Sequence, residues 1–328
     1  MNYGFFRVAS VSPSLSVADC NFNSKQIIEL VKKAQDKKIK LLVFPELSIC
    51  AYTCADLFTQ KTLQEECYIV LKNICEKTKN CNILFCVGLP VELDSERFNC
   101  AAFVFKGKVL ALIPKSFIPN YSEFYESRWF ASFSENTIKQ ISLCKGLEDI
   151  PFGTDIFIQD ENDSSIKISA ELCEDLWVPF SPSTRHALNG ATIIANLSAS
   201  NEVAGKAEYR RILVTGHSAK TVSAYIYANA SHDESSTDMI FSGHSIIAAN
   251  GAIKAESGLF ENTQEFLIAD IDLEKLTQDR IKSTTFSRST SFAKSEYKTI
   301  FVSGLQQEHF ADNIDEQLYE KIDLHPFV

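Results

Sequence analysis

The chain has 328 residues, 45% hydrophobic and 23% charged, an ordinary globular composition with enough length to bury a core without staples. Its formal net charge of -10 argues against a nucleic-acid backbone or an anionic membrane as main partner, because both attract basic surfaces. No apolar run approaches the roughly 18 residues of a membrane span. The 10 cysteines contain no CxxC pair, which points to a reducing, cytoplasmic setting rather than to structural zinc or a disulfide framework.

The predicted elements alternate between strand and helix. Phe5 to Val11 reads as a first strand, not as a basic and apolar leader. Asn23-Ser24 reads as a helix start, followed by Ile27, Leu30, Val31 and Ala34 at helical spacing. Leu41 to Pro45 is a wholly apolar strand of the kind buried on both faces. Leu63 to Lys77 predicts a second helix, and Ile83 to Gly88, Cys100 to Phe105 and Val109 to Ile113 predict strands. After a loop-rich stretch come a strand at Ile166 to Leu172, a short helix at Thr184 to Asn189 and a strand at Thr192 to Leu197. A helix at Lys206 to Lys220 follows, then strands at Tyr225 to Ala230, Ser245 to Ala249 and Phe266 to Ile271. Residues 1 to about 275 therefore read as one α/β domain, and residues 276 to 328 as a polar arm or connector.

Several common sites are not encoded. The 12 glycines never form GxG, and no GxxxxGK[ST], HExxH or GxSxG occurs. None of the six histidines lies in a metal-spaced pair.

Three polar residues end strand-like apolar runs. Glu46 ends Leu41-Leu42-Val43-Phe44-Pro45, Lys115 ends Leu110-Ala111-Leu112-Ile113-Pro114, and Cys173 ends the run from Ile166 to Leu172. In an open α/β sheet the carboxyl ends of strands face the ligand crevice. A carboxylate, an ammonium and a thiol meeting there form an acyl-transfer set. Taken singly, each has a blander reading: a solvated loop charge, a surface lysine, a buried filler cysteine.

The surroundings favour the set. Glu46 lies in Phe44-Pro45-Glu46-Leu47-Ser48, followed by Tyr52-Thr53-Cys54-Ala55-Asp56-Leu57-Phe58. Lys115 precedes Pro119-Asn120-Tyr121 and Glu123-Phe124-Tyr125-Glu126-Ser127-Arg128-Trp129-Phe130. Cys173 lies in Cys173-Glu174-Asp175-Leu176-Trp177, and Asn196-Leu197-Ser198-Ala199-Ser200-Asn201 comes later. In this order the blocks resemble the nitrilase superfamily, and more narrowly the amino-terminal glutaminase domain of glutamine-dependent NAD⁺ synthetases, over about residues 1 to 275.

That resemblance implies a four-layer αββα sandwich. Cys173 would be the nucleophile, Glu46 the base and Lys115 the cation facing the oxyanion. Tyr121, Ser200 and Lys206 would hold glutamine, Tyr52 would line the same pocket, and Glu126 would be an additional glutamate beside the lysine. For Tyr121 the alternative is an aromatic core residue, for Lys206 a surface charge at a helix start, and for Ser200 a turn residue. Glu174 and Asp175 would fix the turn after the nucleophile. The resemblance implies no metal and no organic cofactor in this domain. ATP and Mg would serve only a synthetase domain, in cis or in trans, whose SGGxDS loop is absent here. It also implies a homo-oligomer. Ala51 and Ala55 stand where glycines are expected, and alanine there would be strained if φ is positive. A stand-alone amidase or carbamoylase on another small amide, or a catalytically silent assembly domain, are the competing readings.

Overall fold

The computed structural model describes residues 4–134, 137–261, 264–306 and 318–319. In chain order the first half holds β1 (Phe5–Ser10), α1 (Cys20–Asp36), β2 (Leu41–Val43), α2 (Lys61–Thr78), β3 (Leu84–Leu93), β4 (Glu96–Phe105) and β5 (Lys108–Pro114). Three short strands, β6 (Lys139–Ile141), β7 (Ile150–Phe152) and β8 (Ile156–Asp160), lead to β9 (Lys167–Leu172), α3 (Pro182–Leu188) and β10 (Ile193–Ser198). Then come α4 (Lys206–Thr221), β11 (Ala224–Asn229), β12 (Ile246–Ala249), β13 (Ala252–Glu256) and β14 (Leu267–Asp272). The described elements end with α5 (Leu273–Lys282), α6 (Thr284–Ser289) and β15 (Lys298–Val302).

These strands form two mixed sheets, ordered β14-β1-β2-β3-β4-β5-β7-β6 and β13-β12-β11-β10-β9-β8-β15. Strand side chains alternate between faces, and here both faces are covered. Phe6, Val8, Leu41 and Val43 of the first sheet share a core with Ile168, Ala170, Leu172, Ile193 and Ala195 of the second. The intervening Ala9 and Leu42 point the other way, onto Ile27, Leu30 and Val31 of α1 and Val70, Leu71 and Ile74 of α2. On the far side, Val214 of α4 packs with Ile194, Tyr225 and Tyr227. The architecture is a four-layer αββα sandwich, as the resemblance implied. Each fully buried Leu, Ile or Phe contributes about 1.5–3 kcal/mol by leaving water, so the inter-sheet core dominates cohesion. No helix among the described residues is long and apolar enough to cross a membrane.

The structure departs from the sequence reading at several elements. The first helix starts at Cys20, capped by the Asp19 side chain, which accepts the Phe22 N–H. Asn23 and Ser24 are buried inside it, and Asn23 bonds instead to Ser16 and to the Ile49 carbonyl. Strands β6, β7 and β8 fall in the stretch read as loops. The boundary expected near residue 275 falls inside α5, and β15 pairs in parallel with β8, Thr299 opposite Phe157, so residues 276 to 306 extend the sandwich. Of the arm or connector expected over residues 276 to 328, residues 307 to 317 and 320 to 328 lie outside the described residues.

Candidate active site

Three loops leave the carboxyl ends of β2, β5 and β9 and converge. Glu46, Lys115 and Cys173 are all buried there. The Lys115 N–H donates to the Asn99 carbonyl at 2.8 Å, which fixes the cation at the exit of β5. Cys173 opens a 3₁₀ turn, Cys173–Leu176, with φ at 39°. A left-handed non-glycine residue at a strand-to-helix turn is strained, a feature that gathers at functional sites. The Asp175 carboxylate accepts the N–H groups of Leu172, Ser116 and Phe117 at 3.0, 3.1 and 2.9 Å. It therefore fixes the turn, as expected, and also binds it to the loop after Lys115.

The charges form a tight array. Lys115 Nζ lies 2.7 Å from Glu46 Oε1 and 2.9 Å from both Glu126 oxygens. Glu46 Oε1 also accepts Asn99 Nδ2 at 2.6 Å, and Oε2 accepts the Ala199 N–H at 2.9 Å. Burial pushes the Glu46 carboxyl up to about 7; Lys115 opposes this and Glu126 adds to it. Burial works to lower the Lys115 pKa, but Glu126 and Glu46 outweigh it and hold the ammonium well above its usual range. Burial, then Glu46, pushes the Cys173 thiol up, while Lys115 and the Ala199 N–H pull it down. At rest, then, Cys173 is a thiol and Glu46 a carboxyl that titrates near neutrality.

A cavity of about 420 Å³ opens over Cys173. Tyr121, Ser200 and Lys206 all line it, together with Glu174, Phe124 and Trp177. Lys206 Nζ sits 5.2 Å from the Phe124 ring centre and 5.4 Å from that of Trp177, and bonds to Asn201. Ser200 is locked by Asn229, whose Oδ1 accepts its N–H at 2.8 Å and whose Nδ2 donates to its carbonyl at 3.1 Å. Glu174 does not brace the turn. Its carboxylate points into the cavity, where it accepts the Tyr121 hydroxyl at 2.9 Å. Burial raises its pKa.

Tyr52 lies elsewhere than expected. It is absent from the walls of the Cys173 cavity and lines an adjoining cleft of about 230 Å³ with Glu126 and Trp129. Its hydroxyl donates to Glu126 Oε1 at 2.7 Å. Tyr52 thus holds the glutamate that holds Lys115.

Residues 7–281 match the carbon-nitrogen hydrolase family. The chain belongs to that family. This hydrolase is 34% identical over 286 residues to the glutamine-dependent NAD(+) synthetase of Mycobacterium tuberculosis (strain ATCC 25618 / H37Rv), a match covering 87% of the chain and 41% of that protein. Against the human glutamine-dependent NAD(+) synthetase it is 28% identical over 294 residues, again 87% of the chain and 41% of the relative. The crystal structure of a glutamine-dependent NAD(+) synthetase from Cytophaga hutchinsonii superimposes with a TM-score of 0.72 at 28% identity, covering 81% of this chain and 43% of that one. An amidase from Nesterenkonia sp. shares the fold, with a TM-score of 0.65 at 19% identity over 86% and 96% of the two chains. The chain spans about two fifths of the length of the curated relatives it matches.

Sequence reading missed one partner in this carbon-nitrogen hydrolase. Asn99 touches two members of the array: its Nδ2 donates to Glu46 Oε1 and its carbonyl accepts the Lys115 N–H. The signal was present: an asparagine inside the apolar run Phe98-Asn99-Cys100-Ala101-Ala102-Phe103 must find a polar partner when buried.

Proposed function

We propose that this chain hydrolyses the side-chain amide of glutamine through a Cys173 thioester and hands the ammonia to an NAD⁺ synthetase domain. The observation that carries the chemistry is Lys115, held between Glu46 and Glu126 beside the thiol. As Sγ attacks the carboxamide carbon, Glu46 takes the thiol proton. A neutral Glu46 holds Lys115 less tightly, so the cation turns towards the new oxyanion, helped by N–H groups at the start of the 3₁₀ turn. Glu46 then gives its proton to the leaving nitrogen, the carbon–nitrogen bond breaks, and NH₃ departs. In the second half Glu46 takes a proton from water, hydroxide attacks the thioester carbon, and glutamate leaves as the thiol regains its proton.

The substrate follows from the cavity and from the relatives' names. An α-amino acid is zwitterionic, and the cavity presents both complements: Lys206 for the α-carboxylate, and Glu174 with Tyr121 for the α-ammonium. Ser200 would hold the side-chain end near Cys173. The synthetase domain, in cis or in trans, is inferred from relatives more than twice as long. ATP and Mg would belong to that domain. We also propose a cytoplasmic homo-oligomer; Tyr209 and Ile212, exposed on α4, offer apolar surface for it.

The test is glutamate release by the purified chain, with and without a separate synthetase domain. Cys173→Ala removes turnover while circular dichroism stays that of the wild type. A glutamine-like electrophile labels Cys173 ahead of the other nine cysteines. Turnover near wild type in Cys173→Ala, or labelling spread evenly over the cysteines, rejects the reading. Retained activity on other amides with no glutamate release favours a stand-alone amidase.

A further inference from the structure

Segment 47–55, which follows Glu46 and carries Tyr52, is strained. Leu47, Ala51 and Ala55 are left-handed, with φ at 51°, 74° and 50°. Such backbone persists only where its surroundings over-determine it. On one side Asn23 Nδ2 holds the Ile49 carbonyl at 3.1 Å. On the other side stands Glu234, from the segment joining β11 to β12 in the opposite half of the chain. Its Oε1 accepts the Tyr52 N–H at 2.7 Å, and its Oε2 accepts the Thr53 N–H at 3.0 Å and the Thr53 hydroxyl at 2.5 Å. The Ser235 N–H returns to Thr53 Oγ1 at 2.9 Å.

The same segment grips the ring of Tyr52. Phe241 meets it edge-on, with ring centres 5.7 Å apart and planes at 70°. Tyr52 is thus fixed at its backbone by Glu234 and at its ring by Phe241, and its hydroxyl is delivered to Glu126. Glu234 is 6% exposed, so its carboxylate is held by these donors rather than by bulk water.

We infer that Glu234 is a positioning residue for the hydrolysis: by clasping Tyr52 and Thr53 it sets Glu126, and through Glu126 the place of Lys115 against Glu46. The inference rests on the thiol chemistry proposed above, with Glu234 acting only through other residues. Glutamine at position 234 keeps the shape but sets an NH₂ against an N–H donor, so at least one contact is lost.

The experiment is a double-mutant cycle on glutamine hydrolysis, joined to a measurement that needs no substrate. Glu234→Gln lowers kcat about tenfold, the scale of 1.4 kcal/mol in a barrier, while KM stays within about twofold. Tyr52→Phe does the same, and the double variant is no slower than Tyr52→Phe alone. The second measurement is the pH profile of Cys173 alkylation by iodoacetamide, read by mass spectrometry. Both single variants shift it from the wild type in the same direction. A purely structural Glu234 would lower the melting temperature, give additive losses and leave the alkylation profile in place, and that result overturns the inference. If Glu234→Gln does not fold, Thr53→Val, which removes one of the three bonds to the carboxylate, is read in the same cycle. If the wild type releases no glutamate, the substrate reading fails, and the alkylation profiles still decide the role of Glu234.

Discussion

The carboxylate of Asp175 accepts the Phe117 N–H at 2.9 Å, tying the loop after the lysine to the turn that carries the thiol. The same group accepts the Leu172 N–H at 3.0 Å, so one buried side chain sets two strand ends against each other. Asp175→Asn replaces one oxygen by a donor facing a donor, and an unsatisfied buried group costs about 1–3 kcal/mol. The expected result is a lower melting temperature, together with a kcat that falls more than KM rises. A variant with wild-type kcat would show that the two loops need no tie.

The pH dependence follows from Glu46. To take the thiol proton it must be ionised, and burial has raised its pKa to about 7. Below that pH, kcat/KM therefore falls about tenfold per pH unit, and above it the profile is flat. Lys115, held well above the usual ammonium range, adds no alkaline limb below roughly pH 10. Stability moves the other way. The folded carboxyl binds its proton more tightly than the unfolded one, whose value is 4.5, so the contribution is present below pH 4.5 and lost as pH rises through about 7. Glu46→Gln, neutral throughout, should gain stability over the wild type across that window. Glutamate release from pH 5 to 9 and paired melts check both; an acid limb near 4.5 would contradict the assignment.

How far the sequence carried this picture depended on how local each cue was. The strand exits were legible because the residues up to Pro45 and Pro114 are apolar runs each stopped by one charged residue, and because β9 alternates polar and apolar residues up to Leu172 before Cys173. The start of α1 was misplaced because Asp19 and Asn23 are both cap formers, and only tertiary contacts with Ser16 and Ile49 draw Asn23 into the core. β6 and β7 are three residues long, too short for periodicity to show. β15 pairs with β8, Lys298 opposite Ile156, a partnership no local window contains. The place of Tyr52 was illegible for the same reason, since Glu126 and Glu234 reach it from distant parts of the chain.

Ala51 and Ala55 stand at left-handed positions where glycine pays no steric cost. An L-residue there costs about 1–2 kcal/mol, against about 0.4–1 kcal/mol of extra unfolded-state entropy for glycine. At Ala55, which is exposed and loses no buried methyl, Ala55→Gly should therefore stabilise the fold by roughly 0.5–1 kcal/mol, a rise of about 1–3 °C for a chain of this size. Ala51→Val, β-branched at a buried site, should destabilise by more than that. Melts of the two variants in opposite directions check the strain; a drop for Ala55→Gly would refute it.

Lys206 and Glu174 line one cavity, with Cys173 in its wall. Their charges matter only to a substrate that carries an α-carboxylate and an α-ammonium. A lost charge-assisted hydrogen bond is worth about 1.5–3 kcal/mol, or roughly 10- to 150-fold in binding. Lys206→Met keeps much of the stem that packs on Phe124 and Trp177 while removing the ammonium. It should raise KM for glutamine by that factor with little change in kcat, and leave the slow turnover of a simple amide such as propionamide unaltered. Glu174→Gln should do likewise, except that it also frees the Tyr121 hydroxyl from its anionic acceptor, so a modest fall in kcat accompanies it. The comparison of two amides separates recognition from chemistry. Equal losses on glutamine and propionamide would mean that these charges act on Cys173 rather than on the ends of the substrate, and the amino-acid reading of the cavity would fall with them.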